Sequence, residues 1–214
     1  MDKELELVLA AMGASSRVSL GDRTYHTARW GDHELIIGKT GIGKVNAAIA
    51  TVTLLDNFHP ALVINSGVAG GVGVARPLDV VVPSAIAYHD VWCGPGTEPG
   101  VADGMPARFT CPLEPATVAS LGALTGLLAS GDIFVSTADE VARIRAMYPD
   151  AVAVDMESAA IAHACRLRGV PFVCLRVVSD TPGAVDDNVA QYDAFWTEAP
   201  RRTFDTLLRL LHLL

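Results

Sequence analysis

The chain has 214 residues, of which 50% are apolar and 19% charged, and it carries a net charge of −8. That length and apolar content support a large buried core and exclude a disordered chain. The acidic balance argues against a nucleic-acid groove or an anionic membrane surface as the main partner, and no apolar run is long enough to span a bilayer.

Taken in chain order, residues 1–13 predict a helix with Leu5, Val8 and Leu9 on one face. Residues 23–30 and 34–37 predict an antiparallel pair turned at Gly31-Asp32. Residues 44–57, rich in Ala and β-branched side chains, predict a helix facing the core. Residues 61–65 (ALVIN) predict a short buried strand running into a Gly-rich turn, SGVAGGVG. Residues 79–87 predict one further buried strand, followed by Tyr88-His89-Asp90. Residues 92–106 are rich in Gly and Pro and lack periodicity, which points to a functional or interface loop. Residues 115–129 predict a helix, 132–135 a strand, 139–147 a helix and 192–214 a closing amphipathic helix. No internal repeat or linker interrupts this pattern, so a single domain over residues 1–214 is expected. Four cysteines without CxxC spacing and no basic-then-apolar leader predict a cytoplasmic protein without structural disulfides.

The most informative stretch is VDMESAAIAHACRLRGVPFVCLRVVSD. Residues 151–155 read as a buried strand, 158–168 as a helix ended by Gly169, and 171–178 as a second strand. Strands joined by a helical crossover are expected to run parallel. Glu157 follows the first strand and Asp180 the second, which puts both acids, with Arg176, in the carboxyl-end crevice where open α/β sheets bind ligands. Singly, Glu157 also fits a helix N-terminal acid and Asp180 a turn former.

The segment GKTGIGK (38–44) has the spacing of a phosphate-binding loop between a strand and a helix. Val45 stands where that loop needs Ser or Thr for magnesium, and the ALVI strand ends in Asn65 rather than an acid, so nucleotide triphosphate hydrolysis is set aside. The glycines still permit close backbone approach to a ligand or a helix.

Five segments, TGIGKVNAA, NSGVAGGV, SGDIFV, VDMESAAIA and LRVVSD, occur in an order and spacing that resembles the 5′-methylthioadenosine/S-adenosylhomocysteine nucleosidases of the nucleoside phosphorylase superfamily. The resemblance covers nearly the whole chain. It implies a three-layer α/β/α fold around a mixed, mostly parallel twisted sheet. It also implies hydrolysis of the N-glycosidic bond of a 5′-thio-substituted adenosine, without metal or cofactor, by a homodimer. Such a reaction builds oxocarbenium charge on the ribose and negative charge on the leaving base.

By that resemblance, Asp180 protonates the purine, oriented by Ser179, and needs its proton near neutral pH, which burial favours. Glu157 grips the ribose hydroxyls and stabilises developing positive charge. Met156 packs under the sugar. Glu4, in Met1-Asp2-Lys3-Glu4, matches the water-activating base, with Glu6 as the fallback. Arg176 helps hold the water, with an ion pair to Glu157 or Glu4 as its structural alternative. Adenine is expected on Phe134 with hydrogen bonds from the backbone of Val135; a core Phe is the alternative there. Val68, Ala69 and Gly70 lie in the turn under ribose and water, and Ile42 of the GIGK loop joins the substrate-binding set.

Three departures from the family pattern stand out. The family has a β-strand ahead of the Met–x–x–Glu segment, whereas this chain starts at that Met. Either the start is assigned too late or the fold lacks a central strand, which would expose its neighbours' ladder groups. Val68 replaces a frequent Ser. Residues 92–106 depart from the family's aromatic loop, which leaves the 5′ pocket open; His89 nearby reads as a solvated loop histidine. A phosphate-dependent phosphorylase would need cations for phosphate that are not seen before Gly67. A futalosine-type hydrolase would differ in the 5′ pocket and tend toward Asn at position 180. An inactive nucleoside-binding module would follow if Glu4 were misplaced.

Overall fold

The computed structural model describes residues 2–12, 16–183, 188–198 and 200–214. In chain order the elements are α1 (Asp2–Met12), β1 (Ser16–Leu20), β2 (Arg23–Trp30), β3 (His33–Gly38), α2 (Lys44–Phe58), β4 (Val63–Gly71), β5 (Val80–Val81) and β6 (Ala85–Tyr88). They continue with β7 (Phe109–Thr110), α3 (Pro115–Ser120), β8 (Leu127–Ser130), α4 (Ala138–Met147), β9 (Ala151–Asp155), α5 (Ser158–Arg168), β10 (Phe172–Asp180), α6 (Asn188–Glu198) and α7 (Pro200–Leu211).

Seven strands form a mixed sheet in the order β5-β10-β4-β9-β8-β6-β7, and β1-β2-β3 form a separate antiparallel sheet. All nine residues of β10 are buried. Val173, Leu175 and Val177 pack on the side of Phe195, Trp196 and Leu210, from α6 and α7. Phe172, Cys174 and Val178 pack with Ala47 and Leu55 of α2 and Ile161 of α5. Both faces are therefore covered, which is why the strand reads as a continuous apolar run. Among the described residues no helix is long and apolar enough to cross a membrane.

The β2–β3 pair, α2, α4, β9 and α5 form as the sequence predicts, within one or two residues. Gly169 ends α5 with φ 68°, the left-handed conformation that glycine adopts without strain. The predicted first helix is α1; Met1 and Gly13 lie outside the described residues.

Several expectations are corrected. The Gly-rich segment expected as a turn is strand: β4 continues from Val63 to Gly71. The single strand expected over 79–87 breaks at Pro83, which has no N–H to donate to a ladder. β5 pairs antiparallel with β10, while β6 pairs parallel with β8. The helix expected over 115–129 stops at Ser120; Gly122 turns the chain with φ 65°, and residues 127–130 are strand β8. Residues 132–135 then form a loop rather than a strand. The closing helix is two helices, α6 and α7, with Pro200 opening the second. The hairpin strand β1 has no clear sequence signal, because SRVSL is half-exposed and weakly apolar.

The strands flanking α5, expected to run parallel, are not neighbours in the sheet. β4 lies between them, parallel to β10 and antiparallel to β9. Gly70 pairs with Asp180 on one side and Val154 on the other, so the carboxyl ends of β9 and β10 meet across one glycine. The convergence of Glu157 and Asp180 thus survives, by a different route.

No strand precedes α1 among the described residues. β3 pairs only with β2, and the 63–69 part of β4 pairs only with β10. A cavity of about 770 Å³ opens between them, with residues 33–40 on one wall and 59–66 on the other.

The close approach at β4 is testable. A Cβ on Gly71 would lie 2.7 Å from Val178 Cγ1 and 3.1 Å from the Ala75 carbonyl oxygen. Overpacking of this kind costs about 1–3 kcal/mol. Gly71→Ala is expected to lower the thermal midpoint by several degrees, read by a calorimetric or spectroscopic melt; an unchanged midpoint would contradict the packing described.

Candidate active site

Arg176 is a charged side chain in the middle of β10 and only 2% exposed. Its Nη2 donates to Asp155 Oδ2 at 2.7 Å and to Ser158 Oγ at 2.8 Å; its Nε donates to Asp155 at 3.1 Å, and Nη1 to Asn65 Oδ1 at 3.3 Å. The carboxylate in direct contact with it is Asp155, the last residue of β9. Asp155 also caps α5: both its carboxylate oxygens accept from the Ser158 N–H, and Oδ2 accepts from Ser158 Oγ at 2.5 Å. Ser130 Oγ, from β8, accepts the next free amide, Ala159 N–H, at 3.1 Å. The orphan donors of the helix start are thus satisfied by residues other than its own N-cap.

That N-cap residue is Glu157, and its side chain makes no cap bond. Oε1 instead accepts from the Gly43 N–H at 2.9 Å. The side chain thus faces the GIGK loop rather than the amides of its own helix. Burial, and then the neighbouring Asp155, push the Glu157 carboxyl above its ordinary value, against the Gly43 amide and Arg176, which pull it down. The GIGK loop is shaped for this contact. Gly41 and Gly43 take φ of 85° and 89°, and the Lys44 N–H donates to Asp132 Oδ1 at 2.7 Å. Lys44 Nζ pairs with Asp90 at 2.8 Å. The amides that would cradle a phosphate are held by carboxylates.

Asp180 ends β10 and is 2% exposed. Ser179 Oγ donates to its Oδ1 at 2.7 Å and Asn188 Nδ2 to its Oδ2 at 3.0 Å, so both oxygens are anchored and the carboxyl plane is fixed. Asn188 also reaches the Val135 carbonyl, at 3.4 Å, which ties the loop after β8 to the acid. In that loop Val135 is buried, while Phe134 keeps 42% of its surface exposed and stands edge-on to Tyr192 with centroids 6.0 Å apart. Phe134 is thus a partly open aromatic surface, not a core residue.

Glu4 comes from the first turn of α1. Gly67 of β4 brings it to Arg176: a Cβ there would lie 2.9 Å from Arg176 Nη1 and 3.2 Å from Glu4 Oε1. Glu6 is exposed and does not line this region. One cavity of about 970 Å³ collects Glu4, Glu157, Arg176 and Asp180 with Ile42, Val68, Ala69, Gly70, Phe134, Val135, Met156 and Ser179. Every residue expected in the site lines it. Its outer lip carries Lys39 and Asp2, paired at 2.5 Å.

His89 departs from its expected place. It is half-buried against Gly131, with Nε2 enclosed and without a hydrogen-bond partner among the described residues. Burial lowers its pKa, which favours the neutral ring. Sequence reasoning misses Asp155, Ser158, Asn65, Asn188 and Tyr192. Asp155 carries a usable sign, an acid closing an apolar strand two residues before Glu157. Asn188 carries none, since eight residues separate it from Asp180.

Residues 1–212 match the family described as the phosphorylase superfamily. The 5′-methylthioadenosine/S-adenosylhomocysteine nucleosidase of Bacillus pumilus (strain SAFR-032) is 34% identical over 221 residues, covering 99% of this chain and 95% of that protein. That of Geobacillus kaustophilus (strain HTA426) is 34% identical over 224 residues, covering 100% and 94%. Among solved structures, S-adenosylhomocysteine nucleosidase from Streptococcus pyogenes, in complex with 5-methylthiotubericidin, superposes with a TM-score of 0.91 at 34% identity, covering 100% of this chain and 94% of that one. The Neisseria meningitidis 5′-methylthioadenosine/S-adenosylhomocysteine nucleosidase, in complex with methylthio-immucillin-A, gives 0.90 at 33%, covering 100% and 96%.

The raised Glu157 carboxyl has a sign that can be checked. The folded chain holds this proton more tightly than the unfolded chain, so the contribution to stability is full below the ordinary value of 4.5 and is lost as pH rises through the folded value. Denaturant titrations across pH should show the stability of the native chain falling relative to Glu157→Gln as pH rises from about 4.5. A difference that is flat or rises with pH would contradict the environment described.

Proposed function

The chain belongs to the 5′-methylthioadenosine/S-adenosylhomocysteine nucleosidases of the phosphorylase superfamily, and from that premise we propose that it hydrolyses the N-glycosidic bond of 5′-thio-substituted adenosines. The products are adenine and a 5-thio-substituted ribose. The observation that carries this reading is the meeting of three carboxyl groups and one guanidinium in a single cavity, with Glu4 and Arg176 both against Gly67.

In this reading Asp180, fixed by Ser179 and Asn188, gives its proton to the departing purine. The purine lies over Phe134 beside Val135. Glu157 accepts hydrogen bonds from the ribose hydroxyls, and its charge offsets the positive charge growing on the sugar. Glu4 takes a proton from the attacking water, which Arg176 Nη1 helps to position. Arg176 remains a cation throughout.

Water rather than phosphate is supported as the nucleophile. Among the described residues, the only Lys and Arg side chains lining the cavity are Arg176, engaged by Asp155, and Lys39 at the lip. A phosphate dianion would meet mostly carboxylates there. Asp at position 180 sets the chain apart from the futalosine-type alternative, and the place of Glu4 counts against an inactive module.

A homodimer is part of the same proposal. Ile42, Val45, Ile49 and Trp92 are each more than half exposed, and Val45 and Ile49 share one face of α2. Light scattering should give a dimer mass for the native chain and a monomer mass for Val45→Asp with Ile49→Asp; a monomeric native chain would refute it. The four free cysteines fit the reducing cytoplasm.

Incubation with 5′-methylthioadenosine in phosphate-free buffer should release adenine and free methylthioribose at a rate that added phosphate leaves unchanged. Asp180→Asn and Glu4→Gln should each lower kcat by about 10²–10⁴-fold, the range of a lost acid or base. Formation of a sugar 1-phosphate would sink the hydrolytic reading, and near-normal turnover in either variant would sink the role of the residue replaced.

A further inference from the structure

The Lys39–Asp2 ion pair serves no part of the chemistry above, yet it stands on the lip of the same cavity. The cavity is graded. At its inner end Ser179 and Asp180 are 3% and 2% exposed; at the lip the Lys39 and Asp2 side chains are 41% and 77% exposed. Glu157 lies between, held by the Gly43 amide, and from Gly43 the chain leads outward through Ile42 and Thr40 to Lys39. A nucleoside with its base at Asp180 and its ribose hydroxyls at Glu157 has only the outward direction for its 5′ substituent.

Two kinds of 5′-thio substituent differ sharply in what they bring to that lip. A methylthio group is short and apolar. A homocysteine group ends in an α-carboxylate and an α-ammonium on the same carbon. The cavity suits the second poorly except at one place. Six carboxyl groups line it, from Asp2, Glu4, Asp155, Glu157, Asp180 and Asp193, and the chain as a whole carries −8. Arg176 is buried and taken by Asp155. Lys39 is therefore the one lip cation among the described residues that a tail carboxylate can reach, and Asp2 beside it supplies the opposite pole for the ammonium.

We propose that Lys39 and Asp2 form the recognition site for a zwitterionic amino-acid tail on the 5′ sulfur: Lys39 binds the carboxylate, Asp2 binds the ammonium, and the two exchange their mutual bond for these contacts. The pair makes the chain favour S-adenosylhomocysteine without altering how it handles methylthioadenosine. This rests on the nucleosidase reading and adds the source of its 5′ preference. Because the site is exposed, its contribution is modest and salt-sensitive.

The test compares kcat/KM for S-adenosylhomocysteine and 5′-methylthioadenosine in the native chain, Lys39→Met, Asp2→Asn and the exchanged pair Asp2→Lys with Lys39→Asp. Each variant should lose about three- to fivefold for S-adenosylhomocysteine, mainly through KM, and less than about twofold for methylthioadenosine. The exchanged pair keeps the ion pair but reverses its poles, so a merely structural role would be retained there while the preference is lost. In the native chain the ratio between the substrates should also fall toward that of the variants at about 1 M salt, where screening reaches about 3 Å. Ratios that the variants and salt leave unchanged, or losses equal for both substrates, overturn the assignment while leaving the nucleosidase reading intact. A native chain that turns over neither substrate overturns both.

Discussion

The buried Arg176–Asp155 pair is the constraint on which the rest of the site depends. A guanidinium within an apolar strand carries a desolvation penalty that only close, fully bonded partners offset. Here Asp155, Ser158 and Asn65 supply them, from β9, α5 and β4. Each partner has a second task. Asp155 also receives the first amide of α5, and Ser158 Oγ is also 3.0 Å from Asn65 Nδ2. One charge pair therefore ties the carboxyl end of β9 and the start of α5 to β4 and the middle of β10. It also relieves Glu157 of capping its own helix, which leaves that side chain turned to Gly43 and the cavity. The position of the functional acid follows from the structural one two residues earlier.

The glycines of β4 make the second contribution by what they leave out. Gly67 has no Cβ where Arg176 Nη1 and Glu4 Oε1 draw together, and Gly70 leaves room for Pro182 and Val154. A strand with side chains at these points would hold α1 and the end of β10 away from the cavity. The sequence NSGVAGG is thus a strand whose missing side chains are part of the site. That explains why it resembles a turn in composition while pairing like a strand.

The elements with a single strong period are legible in the sequence: α2, α4, β9, α5 and most of β10. The errors cluster where a local rule competes with a distant partner. Residues 63–71 read as strand then turn because glycine is disfavoured in isolated strands; pairing to both β10 and β9 overrides that. Residues 115–129 read as one helix because Ala and Leu continue past Gly122 and Gly126, and short apolar runs fit helix or buried strand equally; Gly122 and the β6 and β9 neighbours decide for strand at the end. The residues expected to line the site do so, since short motifs identify them. The residues that hold them are less legible. Asp155, which pairs with Arg176, is not among the acids singled out in the sequence, because the approach of 155 to 176 depends on a sheet in which β4 intervenes. His89 reads as solvated because a loop position alone does not reveal that Gly131 opens a space for its ring.

The electrostatics of the cavity bind these features to one kind of chemistry. A loop with the spacing of a phosphate cradle turns its amides to Glu157 and Asp132, so positive backbone dipoles stabilise side-chain carboxylates rather than a ligand anion. Arg176, the single buried cation among the described residues, is neutralised by Asp155. What remains facing the centre is negative, and crowded enough that burial and Asp155 raise the Glu157 carboxyl. Such a site is ill-suited to bind an anion at rest. It suits a reaction in which a neutral sugar becomes positive as its bond to the base lengthens, because the charge that is costly in the resting site is the charge that is offset in the transition state. The same negative interior leaves a carboxylate-bearing substituent welcome only at the lip, where Lys39 stands.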